Sequence, residues 1–109
     1  KEFGVPAFNV DGAIQHIDEK PETPLSNFAV TGLYNFDWRV FGKINTISRS
    51  ERNELEITDL LNLYATIDLL RHKVVTGFWG DAGTLEGISE CSDAVKVAGI
   101  RVTQSGLDE

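Results

Sequence analysis

The chain has 109 residues, the scale of one domain or part of one. Its 41% apolar and 25% charged content is ordinary for a soluble globular protein, and no apolar run nears the roughly 18 residues of a membrane span. Seventeen acidic against ten scattered basic residues give a net charge of −7, which excludes nucleic-acid binding through a basic patch. An acidic protein can still take a phosphorylated small molecule, given one well-placed Lys or a metal held by carboxylates.

Cys91 stands alone, so no intrachain disulfide can form. The start, Lys1-Glu2-Phe3-Gly4, has neither a basic region nor an apolar h-region, so no secretory signal is read and the cytoplasm is the expected compartment. The chain has no Met and begins at once on a strand-like pattern, as a fragment would.

Residues 2–9 alternate as a strand, with Pro6 marking an edge or a bulge. Val10-Asp11-Gly12 reads as a hairpin turn and 13–19 as the returning strand, although Ile14 and Ile17 fall on opposite faces of a regular strand. Residues 20–27, with Pro21 and Pro24, are a loop. Residues 28–36 are rich in β-branched and aromatic side chains and give the strongest strand pattern. A short helix is expected within 37–47, with Trp38, Phe41 and Ile44 on one face, followed by a polar loop over 48–56.

Ile57, Leu60, Leu61, Tyr64, Ile67 and Leu70 recur at helical spacing, which predicts an amphipathic helix over 58–71 with Asp59 in its first turn. Residues 73–76 read as a short strand and 77–83 as a Gly-rich loop carrying Phe78, Trp79 and Asp81. Thr84 can cap a last helix, with Glu86 in its first turn and Leu85, Ile88, Cys91 and Val95 facing inward. Residues 99–109 are a short Ile100–Val102 strand or a tail. The order β-β-β-α-α-β-α fits an α/β or α+β fold.

Few residues stand out chemically. Glu19-Lys20-Pro21 ends a strand: Lys20 offers a compact cation suited to a phosphate, and Glu19 could accept hydrogen bonds from sugar hydroxyls. The same tripeptide also suits a solvated strand end before a turn proline. Asp81, between Gly80 and Ala82-Gly83, could approach a Mg²⁺ ion, or form an Asx turn before a helix. The carboxylates in 54–59 suit a helix start. His16 and His72 are isolated in sequence, Cys91 lies on an apolar helix face, and Trp79 could be core or could line a sugar pocket.

Taken in order, the segments Phe3-Gly4-Val5, Asp11-Gly12, Glu19-Lys20-Pro21, Ser26-Asn27-Phe28-Ala29-Val30-Thr31-Gly32-Leu33-Tyr34, Glu54-Leu55-Glu56-Ile57-Thr58-Asp59 and Gly77-Phe78-Trp79-Gly80-Asp81-Ala82-Gly83-Thr84 resemble the sugar nucleotidylyltransferases, most of all glucose-1-phosphate thymidylyltransferases. The resemblance covers nearly the whole chain. It implies an α/β fold: part of a Rossmann-like mixed sheet with flanking helices, the amino-terminal half absent, and residues 1–109 forming one domain that is the sugar-phosphate-binding half.

The reaction it implies joins dTTP to glucose 1-phosphate with release of pyrophosphate, by attack of the sugar phosphate oxygen on the α-phosphorus with Mg²⁺ assistance. Such chemistry is mainly positioning and charge neutralisation. By matching position, Gly4 would offer its backbone to the sugar and Glu19 would bind sugar hydroxyls. Lys20 would bind the sugar phosphate and serve catalysis; Val30, Thr31 and Tyr34 would line the sugar site; Asp81 would be a metal ligand.

Two positions depart from the family pattern. Asp81-Ala82-Gly83-Thr84 replaces Asp-Thr-Gly-Thr and loses a hydroxyl beside the metal ligand. Arg52-Asn53 replaces Arg-Gly, a mild change because Asn tolerates positive φ. The Gly-rich triphosphate loop, a further Lys and the first metal Asp of the family do not occur in this sequence. The expectation is therefore a partial enzyme without turnover of its own, or else a non-catalytic sugar-phosphate-binding or interaction module. Its expected partners are a sugar 1-phosphate and either the missing half or further copies in a homo-oligomer, with no nucleic acid and no membrane.

Overall fold

The structure is a computed structural model describing residues 3–51 and 53–99. It is a mixed α/β arrangement: a two-stranded antiparallel sheet and three helices, in the order β1 (Gly4–Phe8), β2 (Ile14–Glu19), α1 (Val40–Ile44), α2 (Ile57–Thr66) and α3 (Leu85–Ala98). The described residues divide between His72 and Lys73 into two compact units. No helix among them is long and apolar enough to cross a membrane.

In the first unit, β1 and β2 form the hairpin that Asp11-Gly12 announces. Gly12 takes φ +79°, and the Asn9 side chain accepts hydrogen bonds from the backbone N–H groups of Asp11 and Ala13, both at 3.0 Å. Gly4 pairs with Glu19, Pro6 with Ile17, Ala7 with His16 and Phe8 with Ile14. Two residues of β2 thus span one step of β1, and Gln15 is the unopposed residue of a β-bulge. This resolves the broken alternation of the sequence: across the bulge, Ile14 and Ile17 stand on the same face, with Phe8 and Pro6.

Pro6 does mark an edge. It lacks an N–H, and its carbonyl accepts the Ser26 hydroxyl at 2.5 Å instead of a strand partner. Further along that edge, Val30 N–H donates to the Gly4 carbonyl at 2.8 Å.

Helix α2 lies against β2 and brings its buried Leu60, Leu61 and Tyr64 to a core that also holds Val5, Ala7 and Ile17 of the hairpin. It ends five residues before the periodicity suggests. Asp68 adopts the left-handed conformation (φ +55°), its N–H donates to Ala65 O at 3.0 Å, and Leu69 N–H donates to Tyr64 O at 2.9 Å. That is a Schellman stop with Asp where glycine is usual.

Two expected strands are absent. Neither 28–36 nor 73–76 forms a strand. β-branched and aromatic content favours a pleated surface only where a neighbour supplies the ladder, and within 28–36 the one backbone bond to a strand is that from Val30 to Gly4. The helix expected within 37–47 is confined to Val40–Ile44, and its proposed apolar face is not buried: Trp38 is 78% and Phe41 72% exposed. Asn53 takes the positive φ (+61°) that its sequence position suggests. The carboxylates of 54–59 do sit at a helix start, with Asp59 in the first turn of α2. His16 faces Asp18 at 3.4 Å, and the His72 ring lies 5.3 Å from that of Phe8, so both are engaged locally.

In the second unit, Thr84 caps α3 as expected, its hydroxyl accepting Gly87 N–H at 3.0 Å. Glu86 lies in the first turn, and Gly99 closes the helix in the left-handed region. The expected inward face is not buried among the described residues: Leu85 is 89% and Ile88 51% exposed, and Cys91 is half-buried as a free thiol. The possible strand at Ile100–Val102, and Arg52, lie outside the described residues.

Left-handed backbone strains a non-glycine residue. Asp68→Gly should therefore raise the urea midpoint, with a gain of about 0.5–1 kcal/mol at the helix stop. A lowered midpoint would show that the Asp68 side chain contributes more than its backbone strain costs.

Candidate functional site

The end of β2 gathers several of the residues singled out by sequence. Gly4 and Glu19 are cross-strand partners, so their side-chain positions share a face. A Cβ placed on Gly4 would lie 3.2 Å from Ile17 Cγ2, 3.5 Å from Val30 Cγ2 and 3.6 Å from Glu19 Oε2. Gly4 has no positive φ; its value is the close approach it leaves beside the Glu19 carboxylate and the Val30 methyl. Gly4, Glu19 and Val30 therefore converge, and Thr31 follows Val30, half-buried.

Tyr34 belongs to the same neighbourhood. Burial, and then the Glu19 carboxylate, raise its phenol above the ordinary value of 10.0, since both disfavour a phenolate there. Lys20 follows directly on β2. Its backbone is left-handed (φ +45°), its N–H donates to Phe3 O at 3.3 Å, and its exposed ammonium is paired with no carboxylate among the described residues. A cation that follows directly on Glu19 in the chain is of the kind that can receive an anion attached to a polyol.

Two further residues were read only as parts of a helix. Thr58, 6% exposed in the first turn of α2, donates its hydroxyl to Glu19 Oε2 at 2.5 Å. One turn on, Asn62 Oδ1 accepts Ile17 N–H at 2.7 Å, and Asn62 Nδ2 donates to Ile17 O at 2.9 Å. The available signal was two polar residues four apart beside the apolar positions of an amphipathic helix.

A groove of about 370 Å³ lies in the same unit, with Tyr34, Phe36, Tyr64, Arg39 and Arg71 among its lining. The Tyr34 and Phe36 rings stack at 6.3 Å, Phe36 lies 5.6 Å from Tyr64, and Lys43 Nζ sits 5.1 Å over the Tyr64 ring. Arg39 donates Nε–H to Asp37 Oδ2 at 2.8 Å, and that hydrogen bond holds the Asp37 carboxyl below the usual carboxylate range.

Asp81 belongs to the second unit. Its Oδ1 accepts Gly83 N–H at 3.0 Å, the Asx turn that precedes the Thr84 cap. A side chain on Gly87 would run into the Asp81 carbonyl, and one on Gly80 would meet Cys91 Sγ at 2.7 Å, so both glycines permit close approach around this turn.

A sequence profile for nucleotidyl transferases matches residues 1–97. The chain belongs to the nucleotidyl transferase family. Among its relatives, a glucose-1-phosphate thymidylyltransferase of Mycolicibacterium smegmatis is 35% identical over 101 residues, covering 91% of this chain and 35% of the relative. A glucose-1-phosphate thymidylyltransferase of Neisseria meningitidis is 40% identical over 96 residues, covering 86% and 33%. A bifunctional sugar-1-phosphate nucleotidylyltransferase/acetyltransferase of Sulfurisphaera tokodaii is 37% identical over 83 residues, covering 76% and 21%. The chain thus spans about a third of the length of the thymidylyltransferases it matches.

The resemblance implies Mg²⁺, which takes about six oxygen ligands in near-octahedral geometry. Asp81 supplies one carboxylate, with one oxygen already accepting a backbone N–H. Among the described residues no three His, Cys, Asp or Glu side chains group closely enough to hold a metal. These residues of the nucleotidyl transferase chain do not by themselves compose a magnesium site.

The raised Tyr34 phenol gives a titration test. Its ionisation should occur above pH 10, and Glu19→Gln should move it back toward the ordinary value by removing one of its two causes. A folded pKa above the unfolded one gives stability that is complete below the unfolded value and is lost as pH rises through the folded one. Tyrosinate absorbance, with Tyr34→Phe as the assignment control, measures both; an unchanged titration in Glu19→Gln would remove the carboxylate from Tyr34's surroundings.

Proposed function

We propose that this chain carries the sugar 1-phosphate recognition part of a thymidylyltransferase-type nucleotidyl transferase and does not turn over alone. The observation that carries this reading is the convergence of Gly4, Glu19 and Val30 at the end of β2, with Lys20 next in sequence. Glu19 accepts sugar hydroxyls, Gly4 leaves room for the ring, and Lys20 neutralises the phosphate whose oxygen is the nucleophile. Val30, Thr31 and Tyr34 bound the sugar.

Holding that phosphate beside a cation lowers the cost of bringing two anions together. In the complete family fold, Asp81 would give one ligand to a Mg²⁺ ion whose other ligands lie outside this chain. The relatives named as glucose-1-phosphate thymidylyltransferases favour dTTP and glucose 1-phosphate as substrates of that complete enzyme; the cytoplasm is the compartment expected from the sequence. The remainder of the fold, or a second copy in a homo-oligomer, is the expected partner. Residues 1–109 then act as one functional sugar-phosphate half.

Calorimetry with glucose 1-phosphate is the direct test. Lys20→Ala should weaken binding by about 10-fold or more, the scale of a lost charge-assisted hydrogen bond. The purified chain should release no pyrophosphate from dTTP and glucose 1-phosphate. Turnover by the chain alone would refute the partial-enzyme reading. Absence of glucose 1-phosphate binding by the folded chain would refute the recognition reading, and with it the alternative of a non-catalytic sugar-phosphate module.

A further inference from the structure

A glutamate at a strand end has three free side-chain torsions, and fixing it costs up to about 2 kcal/mol of rotamer entropy. A ligand that must order such a group binds more weakly for it. Here the group is already held. Thr58 donates to Glu19 Oε2, and the β-branched Thr58 is itself stiff at χ1 and buried in the first turn of α2. Among the described residues no hydrogen bond engages Glu19 Oε1, so that oxygen keeps its accepting capacity for a ligand.

Asn62 sets where this contact forms. Its amide takes both the N–H and the C=O of Ile17, as a neighbouring strand would. Ile17 and Glu19 are two residues apart on β2, a rise of about 6.7 Å, and Thr58 and Asn62 are four apart on α2, a rise of about 6 Å. The two spacings match, so the Asn62 contact at Ile17 brings Thr58 level with Glu19.

We propose that Thr58 and Asn62 are positioning residues for sugar recognition: together they preset the Glu19 carboxylate so that Oε1 faces a hydroxyl of the sugar 1-phosphate. This rests on the recognition reading above. Neither residue need touch the ligand; both act through Glu19.

The test compares the 109-residue chain with Thr58→Val, Thr58→Ser, Asn62→Ala and Glu19→Gln. Calorimetry uses glucose 1-phosphate and its monodeoxy analogues. The parent chain should discriminate against at least one deoxy analogue by about 10-fold or more, as expected for a lost hydrogen bond to a charged group. Glu19→Gln should remove most of that discrimination. Thr58→Val should cut it to within about 3-fold, Asn62→Ala should reduce it less, and Thr58→Ser should retain it.

A purely structural role would weaken every analogue alike and leave the ratio unchanged; that result in Thr58→Val would overturn the proposal. A ligand-independent arm measures urea midpoints for Thr58→Val, Glu19→Gln and the double variant. Non-additive midpoint shifts are expected, and additive ones would overturn the anchoring contact. If the parent chain shows the coupling but binds no glucose 1-phosphate, or Glu19→Gln leaves discrimination intact, the recognition reading fails and the assignment to sugar falls with it.

Discussion

The pairing of the Asn62 side-chain amide with the backbone of Ile17 is the contact through which helix and hairpin share one register. Buried peptide groups need partners, and an unpaired one costs about 1–3 kcal/mol. Ile17 is 4% exposed, and in its pair with Pro6, whose carbonyl goes outward to Ser26, its own N–H and C=O point away from β1. Its polar groups are taken up by a helix side chain instead. Apolar contact between Ile17 and Leu60 or Leu61 would tolerate some sliding, because burial is non-directional. Two opposed hydrogen bonds to one residue do not.

The candidate site follows from that register and from the edges of the hairpin. The outward carbonyls of Gly4 and Pro6 are taken by Val30 N–H and the Ser26 hydroxyl. The segment after the proline loop is therefore drawn along β1, which carries Val30 against Gly4. On the β2 side, α2 supplies Thr58 to Glu19. Both edges of a two-stranded sheet, marginal by itself in water, are thus occupied, and the same contacts bring Gly4, Glu19 and Val30 together.

Much of this was legible where the determinants are local. Asp11-Gly12 states its hairpin, Thr84 states its cap, and the spacing from Ile57 to Tyr64 states α2, because each depends on residues within one turn or one step. The strand patterns at 28–36 and 73–76 failed for the complementary reason: a ladder needs a neighbour, and composition cannot report whether one stands there. The stop at Asp68 was hidden because an aspartate in the left-handed region leaves no mark like that of glycine.

Gly4, Glu19 and Lys20 were named as candidate site residues through resemblance. Thr58 and Asn62 were not, since a polar residue on an amphipathic helix ordinarily faces solvent. The bulge at Gln15 was hinted at only by the misplaced pair Ile14 and Ile17.

Under the proposed reading, the chemistry asked of each part of a nucleotidyl transferase would let sugar-phosphate recognition reside in a third of the relatives' length. Holding a sugar phosphate needs one cation, a hydroxyl acceptor and a gap for the ring, the roles proposed for Lys20, Glu19 and Gly4. Transfer asks for more. In the proposed reaction an incoming triphosphate would approach another anion on a chain of net charge −7, and repulsion across a Debye length of about 8–10 Å would be offset only by further cations or metal ions at the reacting phosphates. Lys20 is the cation proposed for the nucleophile's phosphate, and Asp81 offers a single carboxylate in an Asx turn. The first requirement is one of short-range geometry, of the kind that α2 and the hairpin enforce between themselves; the second is a balance of charge over a larger surface. That difference in range makes sugar-phosphate binding the property to seek in this chain, and pyrophosphate release the property to seek in a more complete assembly.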